Sequence, residues 1–271
     1  MSGILFGAFE VHPLPNGTEV FFRASDHSYF SRIEERPGGK WVGPRDARLP
    51  SPSAIGKMLD TNVEPLLRWA AKQTCNGVVQ LRTVPQDGDA LWGALSAEGL
   101  TYSDLREKRA TEGTAVHQDV LEALAAGGKV PSLSAVGDDE RGFAQGVLAF
   151  WRDHDPEPIA SEQVVYSAEH GFAGRFDLLA QLDDQRVLVD LKTSKFIGNG
   201  AHVQTAGYIG AAIESGFGPV DEALILQVLA DGTYRLHPCG ATYEDFLAAL
   251  EAHTAARRVS KRSRELLKAA A

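Results

Sequence analysis

GRFDLLAQL (residues 174–182), DDQ (183–185) and RVLVDLKT (186–193) decide how the chain folds. The first segment alternates apolar and polar residues, the pattern of a half-buried strand. The last places Val187, Val189 and Leu191 on one face of a second strand, and Leu188, Asp190 and Lys192 on the other. A turn centred between Asp183 and Asp184 makes the two a hairpin whose cross-strand partners have residue numbers summing to 367, and Asp177 and Asp190 satisfy that sum. Directly opposed residues on one face have Cβ atoms about 5 Å apart. Two carboxylates that close raise each other's pKa unless a cation lies between them, and hard divalent cations such as Mg²⁺ take oxygen ligands of this kind. Lys192, two residues beyond Asp190, emerges on the same face. Two acids beside an ammonium form a constellation for phosphodiester hydrolysis. A solvated hairpin face is the alternative reading, but Asp190 follows Val187-Leu188-Val189 and precedes Leu191. In so apolar a run a charge is expected to be paired or metal-bound.

Further on, Gln204 and Tyr208 stand four apart and so share a helical face; upstream lies GTAVH, ending at His117. The ordered set Gly174-xx-Asp177, Asp190-x-Lys192 and Gln204-xxx-Tyr208, with the histidine before it, resembles the RecB-like branch of the PD-(D/E)XK nuclease superfamily. The resemblance runs from His117 onward. It implies an α/β fold with a central mixed sheet flanked by helices, a restriction-endonuclease-like core, here preceded by an N-terminal β-hairpin and helical lobe. It also implies a Mg²⁺- or Mn²⁺-dependent deoxyribonuclease, most naturally an exonuclease of recombination, repair or phage DNA metabolism. A structure-specific or RNA-directed endonuclease, or an inactive DNA-binding or assembly module, are the alternatives. Asp177, Asp190 and Lys192 are the expected catalytic residues; His117, Asp177, Asp190 and the Leu191 carbonyl the expected metal ligands; Gln204, Tyr208 and Arg175 the expected nucleic-acid contacts. The expected partners are DNA, single-stranded or with a free end, and a recombination or single-strand-annealing protein.

Composition narrows the classes. Two cysteines, Cys75 and Cys239, neither frame a disulfide scaffold nor supply the four thiolates of an iron–sulfur cluster, so none is expected. No apolar run is long enough to span a membrane, and MSGILF at the start lacks a basic leader region, so a cytoplasmic setting is expected. The net charge of −9 (27 Lys and Arg against 36 Asp and Glu) runs against a nucleic-acid partner. Local charge runs the other way: residues 257–268 hold Arg257, Arg258, Lys261, Arg262, Arg264 and Lys268 against Glu265, and Arg106, Lys108 and Arg109 cluster near His117. Such runs are often solvated helix faces, or a groove that tracks a phosphate backbone.

The remaining pattern divides the chain into an N-terminal hairpin and helical lobe (1–105) and a nuclease core (106–271). Residues 17–60 are read as extended, with strands at Val20-Phe21-Phe22, at Tyr29 to Ile33 and at Trp41-Val42, and Ser53 capping a helix from Ala54. The His27-Ser28-Tyr29 segment resembles one found near the start of phage members of the same branch, with His27 structural. Helices are expected through 54–125 and at 138–154, and a strand at 162–166 after the Pro156-Glu157-Pro158 break. Gly198-Asn199-Gly200 reads as a turn before a helix bearing Gln204 and Tyr208. A strand–turn–strand unit (222–237) and a helix capped by Thr242 and Asp245 complete the chain.

Overall fold

A computed structural model gives the protein over residues 4–60, 64–105, 107–108, 116–127 and 137–269, without the side chains of Ile4, Pro65, Leu66, His117, Gln118, Asp119 and Asp139. Arg106, Arg109 and all of the GTAVH segment before Val116 lie outside the described residues.

The chain is mixed α/β. Its strands are β1 (Ile4–Phe6), β2 (Phe9–Pro13), β3 (Glu19–Arg23), β4 (Ser28–Phe30), β5 (Glu34–Arg36), β6 (Lys40–Val42), β7 (Arg48–Leu49), β8 (Glu157–Ser167), β9 (Phe172–Leu182), β10 (Gln185–Lys192), β11 (Glu222–Val228) and β12 (Tyr234–Pro238). Helices are α1 (Pro52–Gly56), α2 (Glu64–Val78), α3 (Gly88–Ala97), α4 (Glu122–Ala125, entered through a wide helical turn, Val116–Leu121), α5 (Asp138–His154), α6 (Asn199–Glu214) and α7 (Tyr243–Ala269). The larger sheet has the order β12-β11-β10-β9-β8, with β10 and β11 parallel and the other neighbours antiparallel. The parallel step is made by α6, which returns the chain across the sheet.

This sheet is covered on both faces. Val187, Val189 and Leu191 pack with Leu178 and Ala180 against Val147 and Phe150 of α5 and Val116, Val120 and Leu121 of the turn before α4. Leu188 packs on the opposite side with Phe172, Phe176, Ala206, Ala211 and Phe246, beneath α6 and α7. The expected two faces of β10 are thus the two faces of the core. The last helix is capped as its sequence requires: Thr242 N–H donates to Asp245 Oδ2 at 2.8 Å and Asp245 N–H to Thr242 Oγ1 at 3.2 Å.

The N-terminal strands form a second antiparallel sheet, order β1-β2-β3-β4-β7, whose Val20, Phe22 and Tyr29 bury against Val164 of β8 and Ala173 of β9. β1 and β2 precede the extended unit expected from residue 17. The helix after Pro50 is capped by Ser51, whose Oγ accepts from Ala54 N–H at 3.2 Å, and not by Ser53; Pro52 occupies the first helical position, where its missing N–H costs nothing. α1 then crosses α6 at backbone contact: a Cβ on Gly56 would lie 2.3 Å from the Gly200 carbonyl oxygen. Gly200 therefore belongs to α6 and to this crossing, and the expected turn is shorter than 198–200. β8 also begins earlier than expected and contains Pro158, which an edge strand accommodates, with a register shift between Pro158 and Ala160.

Candidate active site

The β9–β10 ladder runs Leu182↔Gln185, Gln181↔Arg186, Ala180↔Val187, Leu179↔Leu188 and Leu178↔Val189, the register in which residue numbers sum to 367. It ends one step before Asp177 and Asp190. Where the next pair would stand, the Leu191 N–H donates to Asp177 Oδ2 at 2.6 Å, so a side chain takes over from the ladder. β9 changes facing at the same point. Phe176 lies in the cluster beneath α6 and α7, whereas Leu178, two residues on, lies in the cluster beneath α5. On the other side, the pairing of β8 with β9 goes from Gln163↔Phe176 to Ser161↔Leu178, stepping over Glu162, which has φ 49°. A left-handed backbone is costly for a residue with a Cβ, and here it sits opposite Asp177. Periodicity did not reveal this switch, because alternation predicts facing only while a strand stays regular.

Asp190 is fully buried (0 % exposed) and Asp177 nearly so (9 %). Asp190 faces α6: Gln204 Nε2 donates to its Oδ1 at 3.1 Å, and its Oδ2 is in ion-pair contact with Lys192 Nζ. Lys192 keeps 23 % of its side chain exposed. Burial lowers the affinity of that amine for its proton, but the fields of Asp190 and Asp177 and the hydrogen bond to Asp190 act the other way, and the net pKa is raised. Lys192 is an ammonium in this charge state.

Tyr208, one turn after Gln204, is 5 % exposed, and its hydroxyl accepts a long hydrogen bond from Gln204 Nε2 at 3.5 Å. Burial, followed by the fields of Asp190 and Asp177, pushes its pKa well above the ordinary tyrosine value. The reason for glycine at 174 is now visible: a Cβ there would stand 2.7 Å from Tyr208 Cε1 and 2.8 Å from Pro52 Cδ. The Arg175 guanidinium lies 5.5 Å from the centre of the Phe22 ring, and its Nε is buried with no hydrogen-bond partner among the described residues. Arg175, Tyr208, Gly174, Tyr29 and Lys57 line a cavity of about 400 Å³, which reaches the site at Tyr208 and which neither Asp177 nor Asp190 lines.

Asp177, Asp190, Lys192, Leu191, Gln204 and Tyr208 are thus brought together, with Arg175 bordering the adjoining cavity. The side chain of His117 lies outside the described residues; its backbone falls in the turn Val116–Leu121, whose Val116 and Leu121 share a cluster with Leu191. Among the described residues no group of three or more His, Cys, Asp or Glu is arranged to hold a metal. The chemistry of the two acids nevertheless fits a hard cation. They offer anionic oxygens, and the Leu191 N–H engages one lone pair of a carboxylate that has about four. His27, expected to be structural, has a left-handed backbone (φ 48°) and lines the same cavity.

Models of known protein families give no match. Nor does any curated protein. Among the described residues no helix is long and apolar enough to cross a membrane.

Proposed function

We propose that this protein is a metal-dependent deoxyribonuclease with a PD-(D/E)XK-type core, acting on DNA that has a free end. The observation that carries the proposal is the fully buried Asp190, held by Gln204 on one oxygen and Lys192 on the other, with Asp177 tied to the next residue of the same strand. A structural role alone gives little reason to bury two carboxylates beside one ammonium, because desolvation opposes it. The element order supports the same reading: helix α5, the antiparallel run β8-β9-β10, helix α6, then β11 parallel to β10.

In this reading Asp177, Asp190 and the Leu191 carbonyl supply oxygens to a Mg²⁺ or Mn²⁺ ion. Such an ion stabilises, as a Lewis acid, the negative charge that develops on the phosphate. The chain's own residues do the remainder. Lys192, held as an ammonium, donates to a phosphoryl oxygen or aligns the attacking water. Gln204 fixes the Asp190 carboxylate in one rotamer, and Tyr208, a neutral phenol at any physiological pH, has a proton to donate to the scissile strand.

The test compares end-labelled linear DNA with covalently closed circles, each single- and double-stranded, in Mg²⁺ and in EDTA. Metal-dependent loss of linear DNA with sparing of circles is expected. Rapid nicking of closed circular single strands would favour the endonuclease alternative, and no cleavage of any substrate the inactive module.

A further inference from the structure

Three cavities stand end to end. The first is the one of about 400 Å³ lined by Arg175 and Tyr208. His27, Tyr29, Ser51 and Ala54 also line a second, of about 330 Å³, whose other wall is His253 and Arg257 of α7. His253, Arg257, Arg48 and Pro50 are shared in turn with a third, of about 1120 Å³, running along α7. Seven Lys or Arg line this last cleft against two carboxylates, Asp46 and Glu265, in a chain of net charge −9. Its basic residues on α7 include Arg257, Lys261, Arg264 and Lys268, spaced four, three and four apart and hence one stripe of the helix. Arg45 and Arg48 face them from the N-terminal sheet's side. Arg262, grouped with them by sequence, is not in the lining.

We propose that these cavities form one path for a single DNA strand, leading from the α7 stripe past His253 to Tyr208 and the acids. The inference deepens the nuclease reading and rests on it for the identity of the strand as substrate. Three observations carry it. Positive charge is concentrated along this cleft, where a polyanion that an acidic protein would otherwise repel can use it. Arg175 and His253, which line the path, each have a buried nitrogen, Nε and Nδ1, with no hydrogen-bond partner among the described residues, so their side chains are not tied in place by those atoms. The middle cavity has the size of a pocket for one drug-sized unit, about 300 Å³. In the proposed path it holds one nucleotide of the strand. Residues 257 and 268 are eleven apart, about 16 Å along the helix, which matches about five phosphates at the roughly 3.4 Å spacing of a stacked strand.

The test is metal-free binding, read by fluorescence anisotropy in EDTA with labelled dT6, dT20 and a 20-base-pair duplex. The wild type is compared with a variant carrying Arg257→Ala, Lys261→Ala, Arg264→Ala and Lys268→Ala. All four side chains are exposed, so the variant keeps the fold, and unchanged thermal unfolding verifies this. As a second variant, Lys261→Glu with Arg264→Glu reverses the charge at two positions. Expected is at least tenfold tighter binding of dT20 than of dT6 or the duplex, lost in both variants. In the first, the slope of log affinity against log salt should flatten by about 3, at roughly 0.7 per phosphate contact. Unchanged dT20 affinity in both variants, or tighter binding of the duplex, overturns the path. Because no cleavage is read, a protein that binds this way yet cuts nothing sinks the nuclease reading alone. One that cuts DNA while the variants bind like wild type sinks the path alone.

Discussion

The Leu191 amide donates to Asp177 Oδ2 across 2.6 Å, so the strand that bears Asp190 also positions the second acid. Asp177 therefore has a structural task as well as a chemical one, and the two separate by substitution. Asp177→Ala leaves a buried N–H without its acceptor, which costs about 1–3 kcal/mol. Asp177→Asn keeps an oxygen there and removes only the charge. Urea unfolding should show the Asn variant close to wild type and the Ala variant destabilised, while both lose cleavage. An Asn variant that cuts normally would leave Asp177 with the structural task alone.

Metal affinity is read most directly from stability. A ligand that binds only the native state stabilises it by mass action, and Asp190 is the acid at the centre of the proposed set. Millimolar Mn²⁺ should raise the unfolding temperature of the wild type by several degrees and that of Asp190→Ala much less. Equal Mn²⁺ stabilisation of the two proteins would remove Asp190 from the ligand set.

Gly174 makes room for both Tyr208 and Pro52. Gly174→Ala must push apart a buried ring and the start of α1, an overpacking that costs about 1–3 kcal/mol. The displaced phenol carries Gln204 with it, so cleavage should fall further than stability accounts for. Chemical denaturation and single-turnover rates of the same preparation check both halves, and a variant as stable and as fast as wild type refutes them.

How much of this was legible in the sequence depended on range. The hairpin register, the two faces of β10, helix α5 and the Thr242–Asp245 cap are set by residues within a few positions of each other, and pattern found them. The facing switch at Asp177 depends on a left-handed Glu162 in the neighbouring strand, which alternation does not encode. Helix α6 is capped by Asp60, whose Oδ1 accepts the Gly200 N–H at 3.0 Å from 140 residues away. Nothing near Gly198 in the sequence signals it. The same holds for the cleft: the charge stripe on α7 was plain, but its continuity with Tyr208 came from the N-terminal sheet folding over β8 and β9.

Lys192 gives a pH signature. Its folded pKa is raised, so the stability its charge supplies is fully present below the unfolded lysine value of about 10.4 and is lost as pH rises through the higher folded value. The difference in urea midpoint between wild type and Lys192→Met should be level from pH 7 to about 9.5 and shrink only at the alkaline end. A gap that narrows already at pH 8 would mean that Lys192 loses its proton near neutrality.

The same residue separates chemistry from binding. Lys192 brings one positive charge to a face that already holds two carboxylates and, when loaded, a divalent ion, so it adds little to the hold on DNA. Its ammonium acts where charge builds on the phosphoryl oxygens, an interaction stronger in the transition state than in the bound substrate. Lys192→Ala should lower the single-turnover cleavage rate at least about a hundredfold. Affinity for DNA, measured in Ca²⁺ to hold back turnover, should change by less than about tenfold, or roughly 1.4 kcal/mol. Substitutions along the α7 stripe should do the reverse, weakening affinity and flattening its salt dependence while the rate at saturating DNA stays near wild type. A Lys192→Ala protein that still cuts at nearly the wild-type rate would mean that Lys192 serves only to neutralise Asp190.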